Sequence, residues 1–436
     1  MEAEAKLRRD ARSLAEAALL SVDPATLVEE TLYARPLEAG ERGSIIALAV
    51  GKAARGMAEG AHRALGKRIS QGIVLAPGDS AGQVPKGFEI FRGGHPLPDG
   101  DGVAAARALA EAARRAGPDD RLLVLISGGA SALLTLPDGQ VSLEDVREMT
   151  RLLLLSGAPI AEMNIVRKHL DQLKGGGLAR IAMPARVRAL ILSDVVGDAP
   201  DVIASGPVSP DPSTFADAIA VLERRGLWEK APTAVREHLL FGREGQIPET
   251  PKPGDPPFAG VQALVIGNAA RAVAGAAFRA RALGYDVHVH SVELAGEARA
   301  VGRELARLGR RIRDTATPVA PPAALLVGGE TTVVVTGDGR GGRNQEVALA
   351  AAQELDGTDR ILVLSLASDG VDGPTDAAGA IATGTTLARA RAAGLDAQAS
   401  LDRNDAYPFF DAIDDLVRTG PTGTNVMDLM MVLVGE

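Results

Sequence analysis

The sequence predicts an α/β protein of two domains with a cleft between them: a Rossmann-like N-terminal domain with a mainly parallel sheet, and a smaller C-terminal domain with a mixed sheet. Three observations indicate this fold class. Short apolar runs alternate with longer Ala-, Leu- and Arg-rich segments of helical period, as in parallel sheets with crossover helices. The 436 residues exceed what one ordinary core accommodates. A polar stretch with five prolines, residues 244–260, interrupts the pattern.

The proline-rich stretch sets the predicted domain boundary. We expect an N-terminal domain over residues 1–245, a linker over 246–257 and a C-terminal domain over 258–436. The predicted strands of the first domain are 44–50, 72–76, 88–92, 121–126 and 187–192. Those of the second are 262–266, 285–291, 323–327, 331–336, 361–366 and 428–434. Because the strand at 331–336 follows GGE so closely, we expect a hairpin that makes the second sheet mixed.

Composition excludes several classes of partner. The formal charge is −9, with 47 basic and 56 acidic residues mixed along the chain, so no broad basic face for nucleic acid is expected. No apolar run approaches the roughly 18 residues of a membrane span, and the N-terminus predicts an ordinary helix. The absence of cysteine excludes disulfides and thiolate nucleophiles and suits a cytoplasmic protein. The oligomeric state stays open, with a homodimer as one alternative.

A glycine–lysine pair follows the first predicted strand. Backbone N–H groups and the ammonium of Lys52 would converge at this helix start, where a phosphate could bind. The loop is not a P-loop, because Lys52 is followed by Ala53. The alternative interpretation is a solvated lysine at the start of a helix.

The segment SGGAS follows the strand at 121–126. Ser127, Gly128, Gly129 and Ser131 are small enough for a ligand to approach the backbone, with hydroxyls and amides around its oxygens. The alternative is a plain turn in which Ser131 caps a helix. A serine-hydrolase elbow is a poor fit, because the pattern G-x-S-x-G is absent.

The segment NIVRKHLDQLKGGG predicts an amphipathic helix that ends at Gly175. Arg167 and Lys174 lie seven residues apart and would share one face of this helix. A solvated basic face is the simplest interpretation of these charges. His169 is expected to be a packed or surface imidazole rather than a catalytic group.

Aspartates follow two predicted strands. Asp194 lies at the end of the strand predicted over 187–192, two residues beyond its last residue, and Asp198 and Asp201 lie in the following turn. These carboxylates could hold Mg²⁺ or accept a hydroxyl proton. Helix caps and Asx turns would explain the same residues without a ligand. The loop ASDGVDGPTDAAGA repeats the pattern after the strand at 361–366.

The loop TGDGRGGRNQE contains the spacing G-x-G-x-x-G at Gly337, Gly339 and Gly342. A dinucleotide fingerprint needs an acidic residue at the end of a second strand about 20 positions on. Here that position lies in QELDGTDR, before the next strand begins. The fingerprint therefore fails on its context.

What remains is a glycine loop with two arginines, followed by a helix. Arg343 suits an anionic group bound by a guanidinium fork, and Glu330 and Glu346 could orient it. The alternative is that Arg340 and Arg343 are exposed side chains of a flexible turn.

Taken together and in order, these loops resemble the glycerate 2-kinase family over nearly the whole chain. The motifs are VGKAARGMA, GGHPLPDG, SGGASALL, NIVRKHLDQLKGGGLA, LSDVVGD, IASGPVSPDPSTF, GGETTVVV, GGRNQE, SDGVDGPTDAAGA and TGPTGTNVMDL. The resemblance implies ATP-dependent phosphorylation of D-glycerate at its 2-hydroxyl, with Mg²⁺. Two positions depart from the expected motifs: Ala130 replaces a glycine, so residue 130 needs no positive φ, and Met427 replaces a polar residue.

With the resemblance, the candidate residues form one site in which a cleft closes on ATP and glycerate and excludes water. Lys52 and Arg343 are the expected catalytic cations, and Asp194 is the leading carboxylate for metal or base work, with Asp198 as a second metal ligand. The expected nucleotide- or phosphate-binding residues are Ser127, Gly128, Gly129, Ser131, Lys168, Gly339, Gly341 and Gly342.

Two rival functions remain open at this point. One is a nicotinamide-dependent hydroxypyruvate reductase, a name given to some relatives of this family. The other is a two-domain sensor that binds a sugar acid or sugar phosphate without turning it over.

Overall fold

The computed structural model describes residues 2–78 and 84–436, which form two compact units. The first unit comprises residues 24–266, and the second comprises residues 1–23 together with 267–436. Helix α1 (Glu2–Ser21) therefore belongs with the C-terminal half of the chain. Among the described residues, no helix is both long and apolar enough to cross a membrane.

The first unit is built on a six-stranded sheet. Its strands are β1 (Ile45–Val50), β2 (Ile69–Pro77), β3 (Phe88–Gly93), β4 (Arg121–Ile126), β5 (Arg186–Leu192) and β6 (Val261–Gly267). They lie in the order β3-β2-β1-β4-β5-β6, and the pairings that link β3 through β5 are all parallel. The chain winds outward from β1 to β3 and then continues at β4 on the other side of β1. The topological switch point, where ligands bind in sheets of this kind, lies between the carboxyl ends of β1 and β4.

The helices of the first unit form two apolar clusters. Residues of β1, β2, β4 and β5 pack with an alanine-rich helix face into one core, and four later helices form another around Val166 and Phe215. Asp99 starts one helix by accepting the N–H of Gly102 at 2.8 Å. The helices are α2 (Pro24–Ala34), α3 (Ala54–Leu65), α4 (Gly100–Arg115), α5 (Ala130–Leu133), α6 (Leu143–Leu155), α7 (Ile160–Lys168), α8 (Gly177–Ala182), α9 (Phe215–Arg224) and α10 (Thr233–Arg243).

The second unit has a mixed six-stranded sheet. Its strands are β7 (Asp286–Glu297), β8 (Ala323–Thr332), β9 (Ile361–Ala367), β10 (Gly379–Thr383), β11 (Leu416–Val417) and β12 (Asp428–Val434), in the order β11-β10-β9-β12-β8-β7. The mixed character is confirmed, but its predicted cause is wrong. Strand β8 runs unbroken to Thr332, so residues 331–336 form no hairpin strand. The sheet is mixed because β12 pairs antiparallel with both β8 and β9, whereas β7 pairs parallel with β8.

Helices on both sides of this sheet complete the second unit, with a core that includes Leu305, Ile312, Phe410 and Val432. Helix α1 packs here, where the Tyr285 hydroxyl donates a hydrogen bond to Asp10 at 2.6 Å. The remaining helices are α11 (Ala269–Ala282), α12 (Ala298–Thr315), α13 (Arg343–Leu355), α14 (Thr386–Ala392), α15 (Ala397–Asp402) and α16 (Ala406–Asp411).

The proline-rich segment differs from the predicted linker over 246–257, because it packs within the first unit. Thr250 donates its hydroxyl to Asp211 at 3.0 Å, and the carbonyl of Pro251 accepts the Asp211 N–H at 2.9 Å. Burial opposes ionisation of Glu249, but hydrogen bonds from His169 and from the Phe215 N–H outweigh it and lower the pKa of Glu249 to about 2. The boundary between the two units therefore lies at residue 266, after the proline-rich segment. The predicted N-terminal domain of residues 1–245 corresponds to a unit of residues 24–266, and the predicted C-terminal domain of residues 258–436 corresponds to a unit of residues 267–436 together with 1–23.

Candidate active site

The turn after β1 and the turn after β4 interlock at the switch point of the first sheet. The Lys52 N–H donates to the carbonyl of Gly128 at 2.9 Å, and the Ala53 N–H donates to the Ser127 hydroxyl at 3.0 Å. Ser127 is fully buried, so its hydroxyl joins the two turns instead of facing a ligand. The predicted loops at Lys52 and Ser127 are thus brought together, with Gly129 as the more accessible part of the SGG turn.

Two glycines make this close approach sterically possible. A Cβ atom on Gly51, whose φ is +119°, would lie 2.3 Å from the Ser127 hydroxyl oxygen. A Cβ atom on Gly129, whose φ is +82°, would lie 3.1 Å from the His95 ring and 3.4 Å from Cγ of Lys52. A third loop, containing His95, therefore meets the two predicted loops. Sequence reasoning missed His95, although it lies within the quoted motif GGHPLPDG.

Ser131 lies in the short helix α5 and links this turn to a strained segment. Its hydroxyl lies 3.2 Å from the hydroxyl of Ser205, which donates to Asn164 at 2.9 Å. Ser205 has a φ of +59°, a conformation that costs a non-glycine residue energy and is often found at functional sites. Ala130 begins α5 in helical conformation, which confirms that residue 130 needs no positive φ.

Arg167 and Lys174 line one cavity in the first unit, which is partly open to solvent. Lys174 is buried and donates to Asp171 at 2.7 Å and to the Leu134 carbonyl at 2.6 Å. Burial lowers the pKa of both basic groups. The predicted solvated basic face is therefore wrong. Helix α7 ends at Lys168 instead of Gly175, which turns Lys174 inward.

Lys168, expected at the nucleotide, lies in a separate interior network. Its ammonium is 3.3 Å from Asp211 and 3.6 Å from Asp201, and its side chain is only 5% exposed. His169 is buried beside it, with Nδ1 2.8 Å from the Ile165 carbonyl, so the expectation of a packed imidazole is confirmed. These contacts explain Lys168 as a structural partner of two carboxylates.

Asp194 lies at the same sheet edge as the SGG turn. Ile126 of β4 pairs in parallel with Ile191 of β5, so the residues after both strands leave the sheet side by side. Asp194 is partly exposed, and Asp198 has a φ of +53° in the following turn. Within residues 2–78 and 84–436, no group of three or more His, Cys, Asp or Glu side chains is arranged to hold a metal ion.

In the second unit, Arg343 begins α13 and is oriented by two carboxylates. Its Nε and one terminal nitrogen donate to Asp428 at 2.6 and 2.9 Å, and the other terminal nitrogen lies 2.9 Å from Glu330. Burial alone would lower the pKa of Arg343, but the two acids outweigh it and raise that pKa. Glu330 orients Arg343 as expected, whereas Glu346 instead pairs with Arg299 at 3.0 Å.

The glycines before Arg343 pack against the protein's own backbone and side chains. A Cβ atom on Gly337 would lie 2.4 Å from Cα of Arg403, and one on Gly339 would lie 2.4 Å from the Arg403 carbonyl. A Cβ atom on Gly342 would lie 2.3 Å from Cγ of Asp372, and one on Gly341 would lie 3.2 Å from a backbone nitrogen. The G-x-G-x-x-G spacing is thus explained by internal packing, in agreement with the failure of the dinucleotide fingerprint on its context.

Asp372 and Met427 are both buried, in two loops that lie between Arg343 and Asp428 in the chain. Asp372 accepts the N–H groups of Asn344 at 3.1 Å and Gln345 at 2.9 Å and so caps α13, while burial raises the pKa of Asp372 to about 6. Met427 is buried with a φ of +70°, and its carbonyl accepts the Ser368 N–H at 3.0 Å. The unexpected methionine therefore supports the last loop through its backbone.

Two family models match the chain. One is described as a domain of unknown function (DUF4147) and matches residues 10–240, and the other is the MOFRL family, which matches residues 323–428. The first model covers all the candidate residues of the first unit. The second covers Arg343, Glu330 and Asp428.

Curated relatives match along almost the full chain. A D-glycerate 2-kinase from Thermotoga maritima is 41% identical over 429 residues, covering 98% of each chain. A putative hydroxypyruvate reductase from Agrobacterium vitis is 43% identical over 433 residues, covering 98% of this chain and 94% of the relative. A crystal structure of glycerate kinase from Thermotoga maritima superposes with a TM-score of 0.89 at 40% identity, covering 98% of this chain and 99% of that one.

Proposed function

Because the chain belongs to the glycerate kinase family, we infer that it transfers the γ-phosphoryl group of ATP to the 2-hydroxyl of D-glycerate, giving ADP and 2-phosphoglycerate. The observation that supports this most directly is the full-length similarity to a D-glycerate 2-kinase, at 41% identity over 98% of both chains. In the reaction, the C2 hydroxyl oxygen bonds to the γ-phosphorus and loses its proton to a base. The bond from that phosphorus to the β–γ bridging oxygen breaks.

The first unit supplies the groups that phosphoryl transfer needs at its switch point. The Lys52 side chain passes beside Gly129 there, with its Cγ 3.4 Å from the position of a Cβ atom on Gly129, so its ammonium would act on phosphoryl oxygens bound next to this turn. Catalysis of phosphoryl transfer rests mainly on positioning and on stabilising a highly anionic transition state. Lys52 is therefore proposed as the catalytic cation of this unit.

Mg²⁺ fits the donor chemistry of Asp194 and Asp198. Magnesium in phosphoryl-transfer enzymes uses one or two carboxylates and takes its other ligands from water and phosphate, so a complete protein cage is not required. When bound, the ion would neutralise charge on the β- and γ-phosphate oxygens. Asp194 is proposed either to hold this ion or to accept the proton of the C2 hydroxyl.

The named rival is a hydroxypyruvate reductase, because one relative at 43% identity has that name. A nicotinamide cofactor would need an open glycine loop for its pyrophosphate. The loop at Gly337 and Gly339 is filled by the backbone of Arg403 and the side chain of Asp405. Location in the cytoplasm and a homodimer stay predictions.

We expect the purified protein to form ADP and 2-phosphoglycerate from ATP, Mg²⁺ and D-glycerate. Phosphorus NMR of the product reports the reaction class and the position of the phosphate together. In the matched assay, hydroxypyruvate should not oxidise NADH or NADPH. Oxidation of NADH without release of ADP would refute the kinase, 3-phosphoglycerate would correct the position of transfer, and glycerate binding without either reaction would favour a sensor.

Replacement of Asp194 by Asn is expected to lower kcat by about 100-fold or more, with little change in melting temperature, because the amide neither accepts the proton nor holds Mg²⁺ well. The matched control is Asp101→Asn, an exposed carboxylate on α4, which should keep full activity. If Asp194→Asn stays active and loses about 1 kcal/mol of stability, the residue is a turn cap, and the role moves to Asp198 or Asp201.

A further inference from the structure

We propose that the guanidinium of Arg167 binds the carboxylate of the acceptor acid, inside the cavity that Arg167 lines together with Lys174, Ser131 and Pro96. This assignment rests on the proposed function, since it names where D-glycerate would lie. It concerns the first unit alone, because every residue that lines the cavity lies between positions 96 and 174.

The cavity contains more positive than negative charge. Its basic side chains are Arg167 and Lys174, and its acidic side chain is Asp171. Asp171 is fully committed: Oδ2 accepts Lys174 Nζ at 2.7 Å and the Leu136 N–H at 2.9 Å, and Oδ1 accepts the Leu173 N–H at 2.9 Å. The charge of Lys174 is thereby balanced by that of Asp171. No other acidic side chain lines the cavity to balance the charge of Arg167.

Within residues 2–78 and 84–436, the side chain of Arg167 makes no hydrogen bond or ion pair. Desolvation lowers the pKa of Arg167, and no acidic group raises it again. Arg167 is half-buried, so its N–H donors face solvent or a ligand that enters the cavity. An anion in the cavity would therefore meet an arginine that no protein group pairs. The planar fork of Arg matches a carboxylate through two parallel N–H···O bonds.

The shape and polarity of the cavity favour a small carboxylic acid over a nucleotide. Its walls are largely apolar, and a single uncompensated cation balances one carboxylate but not the several charges of a triphosphate. The Ser131 hydroxyl, 3.2 Å from that of Ser205, also lines the cavity and has hydrogen-bonding capacity left for a hydroxyl group of such an acid. The apolar walls are formed by Val146, Met149, Leu153, Val166 and Leu170.

The position of the cavity also agrees with the direction of transfer. Pro96 lines it, and the preceding residue, His95, lies against Gly129, which in turn contacts Lys52. Ser131, two residues after Gly129, lines it as well. The cavity therefore borders the turn that carries Lys52, so an acid bound at Arg167 would lie next to that turn.

The test compares Arg167→Met with wild type, using D-glycerate and its uncharged analogue D-glyceramide. For D-glycerate we expect kcat/KM to fall about 100-fold, the size of effect that loss of charge-assisted hydrogen bonds produces. The ratio of kcat/KM for glycerate to that for glyceramide should collapse, while KM for ATP stays constant. Arg167→Lys, which retains the charge, should recover part of the loss. Arg151→Met is the matched control, since Arg151 is an exposed arginine of α6 paired with Glu148, and it should change nothing.

Thermal melting without ATP gives a second readout that does not depend on turnover. Arg167→Met should melt close to the wild-type temperature, and added D-glycerate should raise the melting temperature of wild type only. An increase of KM for ATP alone would reassign Arg167 to the nucleotide, and equal losses on glycerate and glyceramide would overturn the proposal. If wild type does not phosphorylate D-glycerate but small carboxylates still stabilise it through Arg167, the carboxylate site stands and the proposed function falls.

Discussion

Replacement of Lys52 by Met should lower kcat by about 10³-fold and leave the melting temperature close to that of wild type. The expected loss is large because Lys52 lies in the turn after β1 at the switch point, where a cation would act on charge that develops during phosphoryl transfer. Met preserves an unbranched side chain beside Gly129, whose backbone lies against Lys52 Cγ, so packing of the turn is retained. Only the charge and its hydrogen bonds are removed.

The matched control for this prediction is Lys67→Met. Lys67 is exposed, follows α3 and lies away from the interlocked turns, so its replacement should leave kcat unchanged. Steady-state kinetics with both substrates and a melting curve check the prediction. If Lys52→Met raises KM for ATP while kcat is unchanged, Lys52 contributes uniform binding rather than transition-state stabilisation, and the catalytic assignment is wrong.

The strands were the best-predicted part of the fold, for a physical reason. Arg121–Ile126 and Asp428–Val434 match the predicted bounds because each is a continuous apolar run buried on both faces. Strands β10 and β11 were missed. Strand β10 is the sequence GAIAT and β11 has only two residues, so neither gives an apolar pattern distinct from the surrounding loops.

The domain boundary could not be predicted from local sequence. Composition locates the proline-rich segment, but it does not show that Thr250 donates to Asp211 in the first unit. Nor does it show that α1 packs in the second unit, where Arg279 donates to Ser13 at 2.8 Å across more than 260 positions. Contacts of such sequence separation depend on the fold, and no periodicity within a single segment specifies them.

The same limit applies to the site. Glycine turns and cations after strands were found from sequence, because their positions follow from the carboxyl-end rule for parallel sheets. The position of Arg167 at a cavity was missed because a helix continuing to Gly175 would place Arg167 on a solvated face. The partner of Arg343 was missed because Asp428 lies 85 positions away.

Replacement of Arg343 is the second large effect we expect. Each guanidinium nitrogen engages Asp428 or Glu330, and the second N–H of both terminal nitrogens remains for phosphoryl oxygens. Arg343→Ala should therefore lower kcat on the order of 10³-fold, by analogy with arginine fingers, with a much smaller change in KM for glycerate. Arg343→Lys retains the charge but loses the planar fork, so kcat should still fall strongly.

The two Arg343 variants also separate catalysis from stability. Arg343→Ala leaves the buried carboxylate of Asp428 without its cation, which is expected to destabilise the protein, whereas Arg343→Lys keeps a cation beside it. The control is Arg340→Ala in the same loop, where the guanidinium stacks 4.2 Å from the Tyr407 ring centroid and should matter little for kcat. If Arg343→Lys retains wild-type kcat while Arg343→Ala only lowers the melting temperature, Arg343 is a structural partner of Asp428. Catalysis would then depend on Lys52 with another group.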